Sequence, residues 1–372
     1  MTTIRSLTTR LQRVPLTRPW GADVTSVGVI ATHVVRSDGT EGWGFSWSPQ
    51  IGAAAVQALL EHDIAPAAVG RSAAPGAAWN GLWEHLHEAG GGGITTIALA
   101  GLDLALWDAD ARAADTSVSQ LLGRRRDRVR AYGSGVNLHY SLDELLAQVR
   151  RWVESGFDAV KIKVGRPDLG EDLDRVGAVR ELLGPDRALM IDANQRWVLE
   201  RATAAIDALA AFDPAWIEEP LRADDLAGHA ELARRIEVPI AVGENLHTAH
   251  RFEDFLRAGA AQIVQPNVVR VGGITPFLRI ADLAASHGAP LHPHLLPELS
   301  GQLALSLPDS TTDVLVEDVE DAGFSALGAL VDPSPVVIAD GHLTEREHVG
   351  LGIRFAPLLS DSPASPVGKD LP

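Results

Sequence analysis

The sequence predicts an α/β protein whose larger part is a closed barrel of parallel strands. From residue 128 onward, short apolar segments alternate with amphipathic segments, a pattern typical of repeated βα units. Eight apolar segments of this kind occur, and eight parallel strands close most naturally into a (β/α)8 barrel. The preceding part of the chain has a different texture, with β-type segments followed by helical ones, and predicts a separate α+β region.

Composition limits the possible partners and sites. The chain has 372 residues and a formal net charge of −17 at pH 7, which disfavours nucleic acid and anionic membranes as partners. It contains no cysteine, so disulfides, thiolate metal sites and cysteine nucleophiles are excluded. No signal-peptide core and no run of about 18 apolar residues occurs. We therefore expect a cytoplasmic protein.

The first region begins with β-structure and continues with helices. Asp38-Gly39, flanked by apolar runs, predicts a hairpin turn. The residues from Ala53 to Leu122 favour helix, and Gly123 is predicted to cap its C-terminal end. The predicted strand segments of this region are Ile4–Leu11, Val24–Val35 and Glu41–Trp47.

The barrel elements follow in order. The predicted strands are Val129–Ser134, Ala159–Val164, Ala188–Asp192, Trp216–Glu219, Ile240–Glu244, Gln262–Gln265, Pro290–His294 and Val314–Glu317. Helices are predicted over Leu142–Ser155, Glu171–Leu183, Glu200–Ala211, Leu226–Ile236, Ala249–Ala258 and Ile274–His287. The last two connections are less regular. The tail from Ala356 is rich in Pro and Ser, and we expect it to be extended or frayed.

Polar residues close most of the predicted barrel strands, where a barrel carries its chemistry. They are Lys161, Lys163, Asp192, Glu218, Glu244, Asn267, His294 and Glu317. From Lys163 onward, successive positions are 23 to 29 residues apart, which is about one βα unit. The spacing therefore predicts that these side chains surround one pocket mouth.

Three carboxylates in this ring indicate a metal site. Asp192, Glu218 and Glu244 would repel one another around one mouth, and a hard divalent cation removes that conflict. An all-oxygen ligand set suits Mg²⁺ better than Zn²⁺. The alternative is that each acid caps the next helix or pairs with an arginine.

Two lysines on the second predicted strand indicate a general base. Lys161 and Lys163 are two residues apart, so both side chains face the same side of the strand. Neighbouring ammonium groups depress each other's pKa, and a lysine tuned towards neutrality is a competent base. The alternative is a pair that extends to solvent at the strand end.

The order KIK, DAN, WIEEP, GEN, QPN with VGG, and HPH resembles the enolase superfamily, in its mandelate racemase subgroup. The match spans nearly the whole chain, because AGLDLALWDADARA and QLLG resemble the family's capping-domain helix and its exit into the barrel. The resemblance implies a modified (β/α)7β barrel over residues 126–330. It implies an α+β capping domain over 1–125, to which a C-terminal segment, 331–372, returns.

The resemblance also implies roles for the ring. One Mg²⁺ per subunit would be held by Asp192, Glu218 and Glu244. The base is Lys163, while Lys161 lowers the pKa of its neighbour and contacts the substrate carboxylate. Asn194 is implied to contact a substrate oxygen or a metal-bound oxygen. His294 is implied to act on the face of the substrate carbon opposite Lys163, and Glu317 to be an acid that donates to the substrate carboxylate.

One departure bears on the reaction. The family usually has Asp at position 267, whereas this chain has Asn267, which supplies no negative charge to His294. We expect His294 to have a lowered pKa and to be a poor base but a usable proton donor. This favours dehydration of an acid sugar, through an enediolate, to a 2-keto-3-deoxy acid. Racemisation or epimerisation of an α-hydroxy acid, and a non-catalytic binding barrel, remain alternatives.

Further residues are predicted to shape the site. In the resembled family the segments matching Leu16–Asp23 and Gly44–Ile51 close over the pocket, which makes Trp20, Trp47 and also Trp43 candidate substrate contacts. Exposed packing against the barrel is the alternative. Arg270 matches a cation that supports the metal-ligating carboxylates, or forms an ordinary salt bridge. His292 precedes His294 in an H-x-H motif, but its position on the seventh strand argues against Zn²⁺, and we expect it to point into the barrel or to pack on the His294 ring. A small carboxylate substrate and a homo-oligomer are the expected partners.

Overall fold

The computed structural model describes residues 1–21, 24–308 and 314–355. The predicted extended or frayed tail from Ala356 lies outside these residues. The first region opens with β1 (Ile4–Trp20), β2 (Val24–Arg36) and β3 (Glu41–Ser48), paired antiparallel in that order. The turn predicted at Asp38-Gly39 joins β2 to β3, and Gly39 has a φ of 87°. β1 extends beyond its predicted end at Leu11 and brings Trp20 to its far end.

Helices of the first region pack on this sheet. They are α1 (Ala53–Leu59), continued by a π-helical turn into α2 (Ala65–Ala68), then α3 (Pro75–His85), α4 (Ile94–Ala113) and α5 (Val118–Leu121). Gly42 and Gly44 let α4 lie directly on β3, since a Cβ atom at Gly42 would come within 2.0 Å of the Ala105 carbonyl oxygen. Gly123 follows α5 with a φ of 79°, which confirms the predicted cap.

Parallel strands form the second region. They are β4 (Arg128–Ser134), β5 (Ala159–Lys163), β6 (Ala188–Asp192), β7 (Ile217–Glu218), β8 (Ile240–Val242), β9 (Ile263–Val264) and β10 (Leu315–Val319). β4 to β9 pair in chain order, and β10 pairs in parallel with β4. The seventh predicted strand, Pro290–His294, is reduced to one bridge between Val264 and Leu291. Val264 N donates to the Pro290 carbonyl and His292 N donates to the Val264 carbonyl, both at 3.0 Å, so the segment lies beside β9 although it does not continue as a strand.

The barrel helices agree with the sequence prediction to within two residues at each end. They are α6 (Leu142–Glu154), α7 (Leu169–Leu183), α8 (Leu199–Leu209), α9 (Leu226–Arg235), α10 (Ala249–Arg257) and α11 (Ile274–Ser286). A further helix, α12 (Pro297–Ser306), was not predicted. All of its residues are buried, so it lacks the amphipathic period that indicates a surface helix. No helix in the described ranges has the length and apolar character needed to cross a bilayer.

The fold class, an α/β barrel with an α+β cap, is confirmed. After the barrel, β11 (Val336–Ala339) and β12 (His342–Glu345) form a hairpin, and β12 pairs antiparallel with the start of β4. The chain then reaches the first region, where the Gly350 carbonyl accepts a hydrogen bond from Val118 N at 3.0 Å. The rings of Phe355 and Phe45 meet at 5.2 Å. The domain boundaries at 125/126 and 330/331 stay predictions.

Three hydrogen bonds join the cap helices to the barrel segment around the start of α11. Trp79 Nε1 donates to the Gly272 carbonyl at 3.0 Å. Trp107 Nε1 donates to Thr275 Oγ1 at 3.0 Å, and Asp103 accepts from Thr275 N at 2.9 Å. A Cβ atom at Gly273 would lie 2.3 Å from Asp103 Oδ2, so only glycine allows this approach.

Asp103 should make stability depend on pH. Burial raises its pKa to about 7, although hydrogen bonds from Thr275 lower it. Between about pH 4 and pH 7 the unfolded chain therefore loses this proton while the folded chain keeps it. The contribution is complete below about pH 4 and decreases by about 1.4 kcal/mol per pH unit as the pH rises. The variant Asp103→Asn cannot ionise and should show a flatter decrease in the free energy of unfolding, measured by urea denaturation.

The matched control is Asp115→Asn, an exposed position just beyond α4 that tolerates the left-handed backbone. It should keep the slope of the parent protein. If Asp103→Asn also keeps that slope, the buried carboxyl does not carry the pH dependence assigned to it.

Candidate active site

The charged residues predicted to close the barrel strands converge at the C-terminal end of the barrel. β5 carries Lys161 and Lys163, β6 ends in Asp192, β7 ends in Glu218, and β10 carries Glu317. Glu244 follows β8, and His294 follows the single bridge at Leu291. The side chains of Lys161, Asp192, Glu218 and Glu317 are at most 2% exposed, and those of Lys163, His294 and Glu244 are 11 to 12% exposed.

Lys161 lies at the centre of this cluster. Its Nζ is 2.7 Å from Glu218 Oε2, 2.7 Å from Glu317 Oε1 and 3.8 Å from Asp192 Oδ2. Burial lowers the pKa of Lys161, but the surrounding carboxylates outweigh burial and raise it well above its usual value. Lys161 is therefore a fixed ammonium that links three strand ends.

Lys163 is held by one carboxylate and one amide. Its ammonium group pairs with Asp192 Oδ2, and its backbone N–H donates to Asn137 Oδ1 at 2.9 Å. Burial and the charge of Lys161 lower the pKa of Lys163, yet Asp192, Glu244 and Glu218 together outweigh them, so the pKa is raised. Lys161 lowers the pKa of Lys163 as predicted, but the net tuning towards neutrality is wrong for this structure, because the surrounding carboxylates outweigh that effect.

His294 lies between two carboxylates and Asn267. Its Nε2 is 2.6 Å from Glu244 Oε2 and 3.5 Å from Glu317 Oε2. Burial lowers the pKa of His294, whereas Glu244 and Glu317 raise it, and the net shift is upward. The lowered pKa expected from Asn267 is therefore wrong: the charge comes from the adjacent strands instead.

Asn267 sets which nitrogen of His294 carries the proton. Its Oδ1 accepts hydrogen bonds from Val269 N and Arg270 N, both at 3.1 Å, so its Nδ2 faces His294 Nδ1 at 3.1 Å. An amide NH₂ can only donate, so Nδ1 must accept and the proton of the neutral ring resides on Nε2. Asn267 thus orients His294 as a donor towards the centre of the site.

The segment after His294 has an unusual backbone. Leu295 and Leu296 have φ values of 56° and 53°, in the left-handed region that leucine rarely adopts. Leu295 N donates to Glu317 Oε2 at 3.0 Å, and Leu296 directly precedes α12. The direction of His294 therefore depends on this turn and on the buried helix behind it.

The electrostatics of the acids fit a cation. Burial raises the pKa of Glu218 to about 7; repulsion from Asp192, Glu317 and Glu244 adds to this, and Lys161 opposes it. Ligand atoms of Glu218, Glu244 and His294 lie within 4.8 Å of one another. Asp192, the third predicted metal ligand, is adjacent to this group. Its Oδ2 is 3.8 Å from Lys161 Nζ, which also contacts Glu218.

Glu317 differs from its expected state. Burial raises its pKa, but Lys161 and His294 lower it to about 2. Its oxygens accept from Ser134 Oγ at 2.7 Å and from Leu295 N. A carboxylate in this state accepts hydrogen bonds, so it cannot be the proton donor to the substrate that was expected.

Supporting residues surround the ring. Arg270 donates to the Glu244 carbonyl at 3.1 Å and to the Asn245 side chain, and it makes no salt bridge within the described residues. Its positive charge lowers the pKa of Glu244, though burial and His294 have larger effects. Gln265 Nε2 donates to Glu218 Oε2 at 2.8 Å. These contacts fix the acids of two neighbouring strands.

His292 does not belong to the charged ring. Its ring stacks on Trp216 at 5.3 Å, inside the barrel as expected. Burial lowers its pKa to about 4, and its Nδ1 accepts a hydrogen bond from Leu315 N at 3.1 Å. His292 is thus a neutral packing residue.

A cleft of about 560 Å³ opens from the ring to the surface. Lys163, Asn194 and Trp20 line it, as do residues that the sequence did not single out, His139, Arg166 and Arg196. Trp47 does not line it: Trp47 is buried behind Trp20, with the ring centres 6.3 Å apart.

Some of the residues missed from the sequence had a usable signal. Ser134 closes β4 and Gln265 follows β9, so reading the polar residue at the end of every strand identifies both. Asn137 and the cleft residues lie in loops, where the sequence has no period that indicates direction.

Comparison with known proteins identifies the family. Residues 4–123 match the mandelate racemase/muconate lactonizing enzyme N-terminal domain, and residues 144–358 match the enolase C-terminal domain-like family. The chain belongs to the enolase superfamily, in its mandelate racemase subgroup.

Relatives in this superfamily have related activities. The chain is 36% identical, over 94% of its length and 96% of the relative, to a 3,6-anhydro-α-L-galactonate cycloisomerase of Streptomyces coelicolor. It is 39% identical, over 77% of its length and 72% of the relative, to an L-talarate/galactarate dehydratase of Salmonella typhimurium. The crystal structure of a Polaromonas L-talarate dehydratase, complexed with Mg and L-glucarate, has a TM-score of 0.86 and 35% identity, covering 96% of each chain.

Removing the central ammonium should destabilise the fold. Lys161→Met leaves Glu218 and Glu317 buried without their shared partner, and breaking a buried pair in this way costs about 3–5 kcal/mol. The free energy of unfolding, measured by urea denaturation in EDTA, should decrease by this amount.

The double variant Lys161→Met/Glu218→Gln removes one of the two stranded charges. It should be more stable than Lys161→Met alone, because the two effects are coupled. Simple additivity of the two single substitutions would contradict the central position of Lys161.

Proposed function

We propose that this enzyme is a Mg²⁺-dependent acid-sugar dehydratase. It removes the proton α to a carboxylate, forming an enediolate, and then expels the β-hydroxyl to give a 2-keto-3-deoxy acid. The observation that carries this choice is the Asn267–His294 contact, which keeps a proton on Nε2 facing the ring. A donor at this position suits loss of a hydroxyl better than removal of a second α-proton.

The donor set fits Mg²⁺. Asp192, Glu218 and Glu244 offer carboxylate oxygens, the ligands that this ion prefers, and the raised pKa of Glu218 indicates acids in need of positive charge. We propose these three as the ligands of one Mg²⁺ per subunit. When bound, the ion supplies positive charge that stabilises the negative charge developing on the substrate carboxylate.

Proton removal is assigned to Lys163. Its ammonium nitrogen lies at the junction of the charged ring and the cleft, and the α C–H bond breaks as its neutral amine takes the proton. Burial and the charge of Lys161 lower the pKa of Lys163, and a cation held by Asp192, Glu218 and Glu244 would offset the carboxylate charges that raise it. Lys161, fixed by Glu218 and Glu317, supplies the positive charge that binds the substrate carboxylate.

Loss of the hydroxyl is assigned to His294. The β C–O bond breaks as the protonated ring transfers its Nε2 proton to the leaving oxygen, which departs as water, and the ring becomes neutral. Glu244 and Glu317 stabilise the protonated ring, so His294 regains its proton readily. Asn194, whose side chain faces the cleft, is proposed to bind a substrate hydroxyl. A homo-oligomer and a cytoplasmic location stay predictions.

The wild-type enzyme should form a keto product. Incubated with Mg²⁺ and a panel of aldonic and aldaric acids, it should give a semicarbazide-reactive 2-keto acid from at least one of them. EDTA should abolish the reaction and added Mg²⁺ should restore it. Lys163→Ala should lower kcat by about 10²–10⁴-fold, the range expected for loss of a general base.

The same incubation in D₂O separates the alternatives. Deuterium entering the α-position with no keto product would indicate a racemase or epimerase. Neither signal with any acid of the panel, from a folded protein that binds Mg²⁺, would leave only a binding barrel.

The Asn267→Asp variant tests the role of the amide. A carboxylate can accept a hydrogen bond from Nδ1–H, which moves the neutral-ring proton away from Nε2. Dehydration should slow by about tenfold or more, in the range of lost acid catalysis, while α-deuterium exchange into recovered substrate increases. Unchanged kcat with unchanged exchange would show that Asn267 does not set the proton on His294.

A further inference from the structure

The loop after β6 presents the side chains of Asn194 and Arg196 to the cleft. Asn194 and Gln195 have φ values of 43° and 62°, and this double left-handed turn redirects the chain towards the surface. Gln195 N donates to the Glu219 carbonyl at 2.7 Å, and Trp197 N donates to the Pro220 carbonyl at 3.2 Å. The turn is thus fixed to the neighbouring strand end, and Arg196 projects from a rigid backbone.

The aliphatic part of the Arg196 side chain packs against Gly165, and its guanidinium makes no hydrogen bond or ion pair within the described residues. Gly165, with a φ of 101°, leaves space for this aliphatic part: a Cβ atom there would lie 2.8 Å from Arg196 Cδ. No hydrogen bond or ion pair joins the Arg196 side chain to any residue of the described ranges. The side chain is exposed, and it lines the cleft whose inner end is Lys163.

The neighbouring arginine is different. Arg166 donates to the Leu138 and Tyr140 carbonyls at 2.8 Å and pairs with Glu171 Oε2 at 2.7 Å. Its donors and its charge are therefore used within the protein wall. Two arginines line the cleft, Arg166 and Arg196. Of these, only Arg196 has a charge and guanidinium N–H groups that are not already paired within the described residues and can therefore bind a ligand.

We propose that Arg196 binds a second carboxylate at the far end of the substrate, so that the preferred substrate is a dicarboxylic sugar acid, an aldaric acid. The inference rests on the proposed function, which directs the reacting carboxylate to the inner end of the cleft. A guanidinium matches a carboxylate with two parallel hydrogen bonds, whereas the terminal CH₂OH of an aldonic acid offers no charge. His139 and Trp20 form the other walls of the cleft.

Binding and turnover are measured separately. Calorimetric titration of Lys163→Ala with Mg²⁺ present compares galactarate, a diacid, with D-galactonate, the matching monoacid. Galactarate should bind at least about tenfold more tightly, the effect of one charge-assisted contact. Lys163→Ala/Arg196→Gln should lose this preference, and Lys163→Ala/Arg196→Lys should keep part of it.

The matched control is Lys163→Ala/Arg222→Gln. Arg222 is an exposed arginine that pairs with Asp224 in the next βα loop and does not line the cleft. This variant should keep the preference for the diacid. Equal binding of both acids before any change at position 196, or a preference that survives Arg196→Gln, would overturn the inference.

Turnover by the wild-type enzyme distinguishes the two levels of the proposal. If only monoacids are dehydrated, the aldaric preference is wrong and the proposed function stands. If galactarate binds through Arg196 but no acid is dehydrated, the distal site is supported and the proposed dehydration fails.

Discussion

A buried ammonium surrounded by carboxylates is the interaction on which the site depends. Lys161 lies 1% exposed between Glu218 and Glu317, with Asp192 close by. Taking such charges out of water is costly, and the cost is offset only when each oxygen has a well-placed partner. The parallel register of adjacent strands supplies that geometry, since it aligns Lys163 with Asp192 and Asp192 with Glu218. The strand pairing that closes the barrel therefore also fixes the positions of these charges.

Chemistry and selectivity reside in different parts of the architecture. The reacting groups are on strand ends or directly after them, where pairing fixes their directions. The cleft walls come from loops and from Trp20 at the end of β1, in the capping region. Such a division lets the outer walls change without moving Lys163 or His294, which agrees with the varied activities of the relatives.

The sequence predicted the structure best where residues of one kind recur at a regular spacing. Strand spacing predicted the ring of charges, and the two-residue separation of Lys161 and Lys163 predicted their common side. The pKa of Lys163 was not predictable, because it depends on how far Asp192, Glu244 and Glu218 outweigh burial and Lys161. Arg196 was missed because its direction follows from a left-handed turn, and α12 was missed because a helix buried on all sides has no amphipathic pattern.

The two left-handed leucines after His294 have a cost. Non-glycine residues in this region are each disfavoured by about 1–3 kcal/mol, so the surrounding structure must hold them in place. Here that support comes from Glu317, which accepts from Leu295 N, and from the wholly buried α12. Packing defects in α12, although remote from any ligand, would let the backbone relax and rotate the imidazole out of line. Substitutions in α12 can therefore lower the turnover of this enzyme without changing any residue of the cleft.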